Sequence, residues 1–289
     1  MIFNRCFKFT VLAVWLGCMS WLVRYEAFPH WFEDTIQGYR TLTRELPAVK
    51  DSWMKVLWNG EHVGYSNSTV EVDEADGKED WLMRSQLMLH LQMPDGDNQL
   101  RIDTRVNIRD GRRLHGFLFT FFLGNMQGEI QGERDTGDYF NVELQVKPML
   151  GDARMKWRIQ IPEQAIIAGP MMDTGLRNLR PDQEMRMRTF NPMSVAGELS
   201  EVLFRGEGHE MLTIGDGEPV HVSRVSMRTG EVVFYAWLNE HGQVLRQETP
   251  FGFVLEAATV NDAVRVPEGN KIPFSQLLSN PLIPNLPNL

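Results

Sequence analysis

The stretch Val56-Leu57-Trp58-Asn59-Gly60-Glu61-His62-Val63-Gly64-Tyr65-Ser66 decides the fold class. Asn59-Gly60 is the pair that a two-residue type I′ hairpin asks for, because both central residues take positive φ and asparagine and glycine tolerate it best. Upstream the pattern is helical: Trp31, Thr35, Ile36, Tyr39, Leu42 and Leu46 recur at helix spacing until Pro47 stops them. From Trp53 onward the period is two.

That alternation carries through most of the chain. Trp81, Met83, Leu87, Leu89, Leu91 and Met93 share one face, with Arg84, Gln86, His90 and Gln92 on the other. After a turn at Pro94-Asp95-Gly96-Asp97, Leu100, Ile102, Val106 and Ile108 stand against Arg101, Asp103, Arg105 and Arg109. His115, Phe117, Phe119, Phe121 and Leu123 follow, with Leu118 and Phe122 on the opposite parity, and this greasiest strand is expected to be central. Phe140, Val142, Leu144 and Val146 continue it, then Met155, Trp157, Ile159 and Ile161 opposite Arg154, Lys156 and Arg158. One buried face, one wet face and short turns predict consecutive antiparallel pairing.

Prolines and glycines interrupt the rhythm between residues 162 and 204, where the spacing predicts short helices over 164–179 and 194–204 and a strand over 183–189. Strands resume at 210–214, 220–227, 231–239, 244–249 and 253–260. About a dozen strands with single apolar faces must close, curl or leave a greasy concavity. The expectation is a mainly β fold: one large curved antiparallel sheet, half-barrel-like, wrapping one or two short helices and preceded by a membrane helix. The chain divides into a leader (1–23), a juxtamembrane helix and linker (24–52), the β domain (53–266) and a proline-rich apolar tail (267–289).

The leader has Arg5 and Lys8 ahead of an apolar run from Phe9 to Val23. This is the pattern of a signal peptide or signal anchor. Fifteen helical residues reach about 22 Å against a hydrocarbon core of about 30 Å, a gap that Phe7 and snorkelling flanks narrow. Cys18-Met19-Ser20 is a mediocre cleavage site, so an uncleaved anchor through residues 7–23 is favoured. Lipidation at Cys18 is disfavoured, because Trp15 stands where the lipidation motif wants an aliphatic residue. The positive-inside rule then exports the body to the periplasm or cell exterior.

Composition excludes several functions. Cys6 and Cys18 are the only cysteines, so the body has no disulfide framework, thiolate metal site or cysteine nucleophile. The formal net charge is −9 for the whole chain and −11 beyond the leader, which holds Arg5 and Lys8 and no acid; so acidic a body, without a long basic run, argues against nucleic acid as partner. The seven histidines, at 30, 62, 90, 115, 209, 221 and 241, have no close zinc-type spacing. His209 beside Glu210, or His221, would act in catalysis only if folding brought an acid and a nucleophile to it. No catalytic residue, metal ligand or cofactor site is expected. The glycines at 124, 128 and 132 mimic a membrane dimerisation motif, but Glu129, Gln131, Glu133 and Arg134 rule out a buried span, so they mark a bend or a close crossing.

Two sets of residues remain as candidate sites. Phe117, Phe119, Phe121, Trp157, Met185 and Met187 would line the sheet's apolar face, as plain core or as a surface for an apolar ligand, methionine adapting to either. Pro281, Pro284 and Pro287 recur every third residue, aligning in a polyproline II helix with Leu282, Ile283 and Leu286 beside them. That tail would cover its own domain or dock on a partner.

The opening hairpin, together with Ala236-Trp237-Leu238-Asn239-Glu240-His241-Gly242-Gln243-Val244-Leu245-Arg246-Gln247-Glu248-Thr249-Pro250-Phe251-Gly252 and the step Thr189-Phe190-Asn191-Pro192, resembles an exported bacterial β domain of unknown function that precedes transglutaminase-like domains. The similarity runs over about residues 53–262. It implies an extracytoplasmic, non-catalytic domain that engages substrate or partner for a transglutaminase-like enzyme. No catalytic domain follows in this sequence, and the body offers no cysteine for that enzyme's nucleophile, so the resemblance implies a separately encoded partner. The expected function is a membrane-anchored interaction module; the alternative is a carrier or sensor of lipid or another apolar ligand.

Overall fold

The structure is a computed structural model that describes residues 38–39, 49–75, 78–147, 153–167, 176, 179–191, 199–250 and 252–278. They belong to one compact unit, Gln37–Leu289. The leader, most of the juxtamembrane segment and the tail from residue 279 lie outside the described residues. Among the described residues no helix is long and apolar enough to cross a membrane.

Asn59 and Gly60 form the expected turn, with φ of 52° and 84°. They join β1 (Val49–Trp58) to β2 (Glu61–Ala75). A meander follows through β3 (Lys78–Met93), β4 (Gly96–Arg109), β5 (Arg113–Leu123), β6 (Met126–Arg134), β7 (Tyr139–Lys147) and β8 (Ala153–Gln160), each antiparallel to the one before. Short β9 (Ala165–Ile167) runs parallel to β10 (Glu184–Phe190), and a second meander continues through β11 (Leu199–Leu212), β12 (Val220–Thr229), β13 (Val232–Leu238), β14 (Val244–Glu248) and β15 (Phe253–Ala257). Then β15 pairs back on β1, Trp58 opposite Phe253, so the two meanders form one sheet. Two short helices, α1 (Val260–Val264) and α2 (Phe274–Leu278), and the two-residue β16 (Ile272–Pro273) follow.

The sheet curls on itself. β5 and β10 are fourth and fourteenth in the sheet order. In a flat sheet at about 4.8 Å per step they would lie roughly 48 Å apart, yet the rings of Phe117 on β5 and Phe190 on β10 are 5.8 Å apart, centroid to centroid. The two wings therefore face each other across a shared interior. A single hydrophobic cluster records this, with Met83, Phe117, Ile130, Phe140, Met187, Phe204, Met227 and Leu238 all members. Beyond it, the long strands β2 to β4 bury a second cluster around Val63, Leu89, Leu91 and Ile272.

Two of the expected elements are corrected. The helix predicted over 194–204 is, from Leu199 onward, the start of β11, where Val202 and Phe204 alternate into the core between β10 and β12. A short apolar run carries no period long enough to separate helix from strand, and two neighbours with open edges capture it as strand. Likewise, the predicted helix over 164–179 gives way at Ala165–Ile167 to three fully buried strand residues. The two short helices α1 and α2 come after the last long strand.

Candidate functional site

The six residues proposed to line an apolar face stand on the concave side. Phe117, Phe119, Met185 and Met187 are buried in the main cluster and Trp157 packs partly buried against it. Phe117 is the centre: the rings of Phe119, Phe140 and Phe190 surround it at 6.0, 6.2 and 5.8 Å. These rings fill the interior they line. Phe121, two places further along β5, is only half-buried and belongs to neither cluster. Leu87, Leu100 and Leu123 are likewise half-buried at that end, packed against the second cluster.

Glycines make the packing possible. Gly128 and Gly132 lie directly opposite Phe121 and Phe117 across the β5–β6 pair. A Cβ on Gly132 would come within 2.1 Å of Phe117 Cζ, and one on Gly128 within 2.0 Å of Phe121 Cε1. The close approach expected of this glycine stripe is thus made by rings of the adjacent strand. Gly124 serves differently, as a turn residue at φ 57°.

From the juxtamembrane helical pattern, Tyr39 is described and it is buried in the main cluster, its hydroxyl accepting a hydrogen bond from Ile167 N–H at 2.8 Å. Burial pushes its phenol well above the ordinary tyrosine range. Pro281, Leu282, Ile283, Pro284, Leu286 and Pro287 lie outside the described residues. The segment just before them docks: Ile272 of β16 is buried beside Leu91, its partner on β3, and Phe274 at the start of α2 packs on the same cluster.

Of the histidines, His209 and His221 are brought together on β11 and β12, their rings stacked at 5.3 Å. His209 Nδ1 lies 3.0 Å from Ser223 Oγ. This is the spacing of a base and a hydroxyl nucleophile, but the neighbouring acid turns away. Glu210 accepts a hydrogen bond from Trp237 Nε1 on the opposite face. No carboxylate is hydrogen-bonded to His209 or His221 among the described contacts, so the pair lacks the third group that orients a catalytic base. Among the described residues no cluster of three or more His, Cys, Asp and Glu could hold a metal ion. His62, His90 and His115 are held below the ordinary histidine value, burial being the largest cause in each.

Sequence reasoning missed a polar groove of about 490 Å³ on the outer face of β2–β5, lined by Asn67, Thr69, Arg84, Gln86, Arg101, Asp103, Arg105 and Thr120. Arg84 pairs with Glu71 at 3.4 Å, and Asp103 serves both Arg101 at 2.8 Å and Gln86 at 2.9 Å. Arg105 sits directly across the β3–β4 pair from Arg84. Like charges opposite each other destabilise a sheet, and the ion pair of Arg84 with Glu71 offsets part of that cost. Its signal was present as Arg101, Asp103 and Arg105 on one parity, but their meeting with Arg84 depends on register.

No protein-family model matches the chain, and no curated protein does. Among solved structures it is similar to the crystal structure of a beta-barrel-like protein of the domain of unknown function DUF1849 from Brucella abortus, at 9% identity and a TM-score of 0.42, over 77% of this chain and 96% of that one.

Proposed function

We propose that the chain is a membrane-anchored, extracytoplasmic, non-catalytic interaction module, accessory to a separately encoded transglutaminase-like enzyme. The observation that carries this reading is the interior: Phe117, Phe119, Phe140 and Phe190 pack on one another where a carrier would hold its cargo. Recognition is left to the outer surface, and the groove around Arg84 and Arg105 is its most distinctive polar feature. Arginine there suits an acidic segment of the partner, because its planar fork takes a carboxylate at two points. The tail, with Pro281, Pro284 and Pro287, supplies a second contact.

The test is co-purification of the full chain with envelope proteins after cross-linking. A transglutaminase-like enzyme should be captured by wild type, and lost on deleting residues 279–289 or on changing Arg84 and Arg105 to alanine. Capture of no such enzyme counts against the reading. The alternative, a carrier of lipid or another apolar ligand, draws on the half-buried Leu87, Leu100, Phe121 and Leu123. Mass spectrometry of gently extracted protein separates the two: a stoichiometric lipid supports the carrier, a bare chain the module.

A further inference from the structure

The hairpin of β11 and β12 runs on past the core, and its last turns expose a face that packing does not explain. Register places Met211 opposite His221 and His209 opposite Ser223. With a period of two, all four side chains stand on the same face of the ribbon. Met211 is 61% exposed, more than any other large apolar side chain described. Both histidines are exposed as well, and their rings already meet at 5.3 Å.

A thioether held in water gains nothing from burial, and two imidazole rings stand against each other on the same exposed face. A shared metal ion accounts for both. The donor set is two imidazoles and one thioether, since Glu210 is engaged with Trp237 on the other face. Oxygen-seeking magnesium and calcium find little there, and zinc prefers four donors drawn from thiolate, imidazole and carboxylate. Soft thioether with imidazole suits monovalent copper. Ser223 orients the first ligand: with Nδ1–H of His209 donating to Ser223 Oγ, the Nε2 lone pair is free for the metal. Asp216 and Glu218, exposed in the connecting loop, make this tip acidic and attract a cation.

We propose that the end of the β11–β12 hairpin is a binding site for a monovalent copper ion, held by His209, His221 and Met211. It is independent of the module reading above and of the outer groove. No redox step is involved; the site binds and presents the ion.

The experiment uses the full chain in detergent under reducing, oxygen-free conditions, with Cys6→Ser and Cys18→Ser in every sample so that leader thiols do not compete. Copper(I) is supplied as its coloured bicinchoninate complex. The chain should withdraw one equivalent, with an affinity that falls about tenfold or more in His209→Ala and again in His221→Ala. Met211→Leu should weaken binding and remove the copper–sulfur distance from the X-ray absorption spectrum, whereas Met155→Leu, another exposed methionine, should change neither. Far-UV circular dichroism checks that the exposed-site variants keep the sheet. Equal copper withdrawal by the parent and the two histidine variants would overturn the site. Zinc displacing the copper, or an unchanged sulfur signal in Met211→Leu, would overturn the assignment to a soft ion.

Discussion

At Gly132 one absent methyl group sets how the interior packs. The Phe117 ring occupies the space where a Cβ would sit, and the rings of Phe119, Phe140 and Phe190 leave it no retreat. Gly132→Ala should therefore cost about 1–3 kcal/mol by overpacking, read as a lowered urea midpoint; a change under about 0.5 kcal/mol would mean that the ring stands elsewhere. The three depressed histidines give a second prediction. His62, His90 and His115 resist protonation when folded, His62 despite backbone hydrogen bonds at Gly64 and Ala263 that favour its charged form. The unfolded chain then binds more protons below about pH 6.5, so stability falls with pH from there and levels off once the folded groups titrate. Urea midpoints between pH 7.5 and 5.5 should fall, and the drop should shrink in His62→Gln; a rise on acidification would reverse the sign assigned here. At this scale the sequence exposed the glycine stripe as a point of close approach, while the identity of the visiting rings awaited the β5–β6 register.

Elements were legible wherever the alternation ran long. The strands of the first meander follow from a period of two maintained through Trp81–Met93 and its neighbours, and the Asn59-Gly60 turn from its two dihedral demands. The segment from 162 to 204 was not, because its apolar runs are short and prolines interrupt them. Nothing local separates Ala165–Ile167 or the start of β11 from helix; pairing partners decide. The same holds for Ile272-Pro273, whose strand character comes from β3 alongside it. Ile272 is buried between Leu91 and its neighbours in the second cluster, and Lys271 beside it is ion-paired with Asp97. Ile272→Ala should cost about 2–5 kcal/mol as a buried truncation. Urea unfolding measures it, and a cost below about 1 kcal/mol would detach β16 and α2 from the fold.

For the whole molecule, the decisive pairing is between the first and last long strands, Trp58 opposite Phe253. The two hairpins that stand out in the sequence hinted at one sheet. What no periodicity shows is how far that sheet curls, since curvature is a property of many strands together. The polar groove and the histidine pair depend on register in the same way and were unreadable before the strands were aligned. That the wings of the sheet meet through their own side chains rests on Phe117 of β5 against Phe190 of β10. A double-mutant cycle on Phe117→Leu and Phe190→Leu, measured by urea unfolding, tests it most directly. Rings 5.8 Å apart should show a coupling of about 0.5–1.5 kcal/mol. Additive losses, within about 0.3 kcal/mol, would mean that the rings do not touch and that the interior is open to something else.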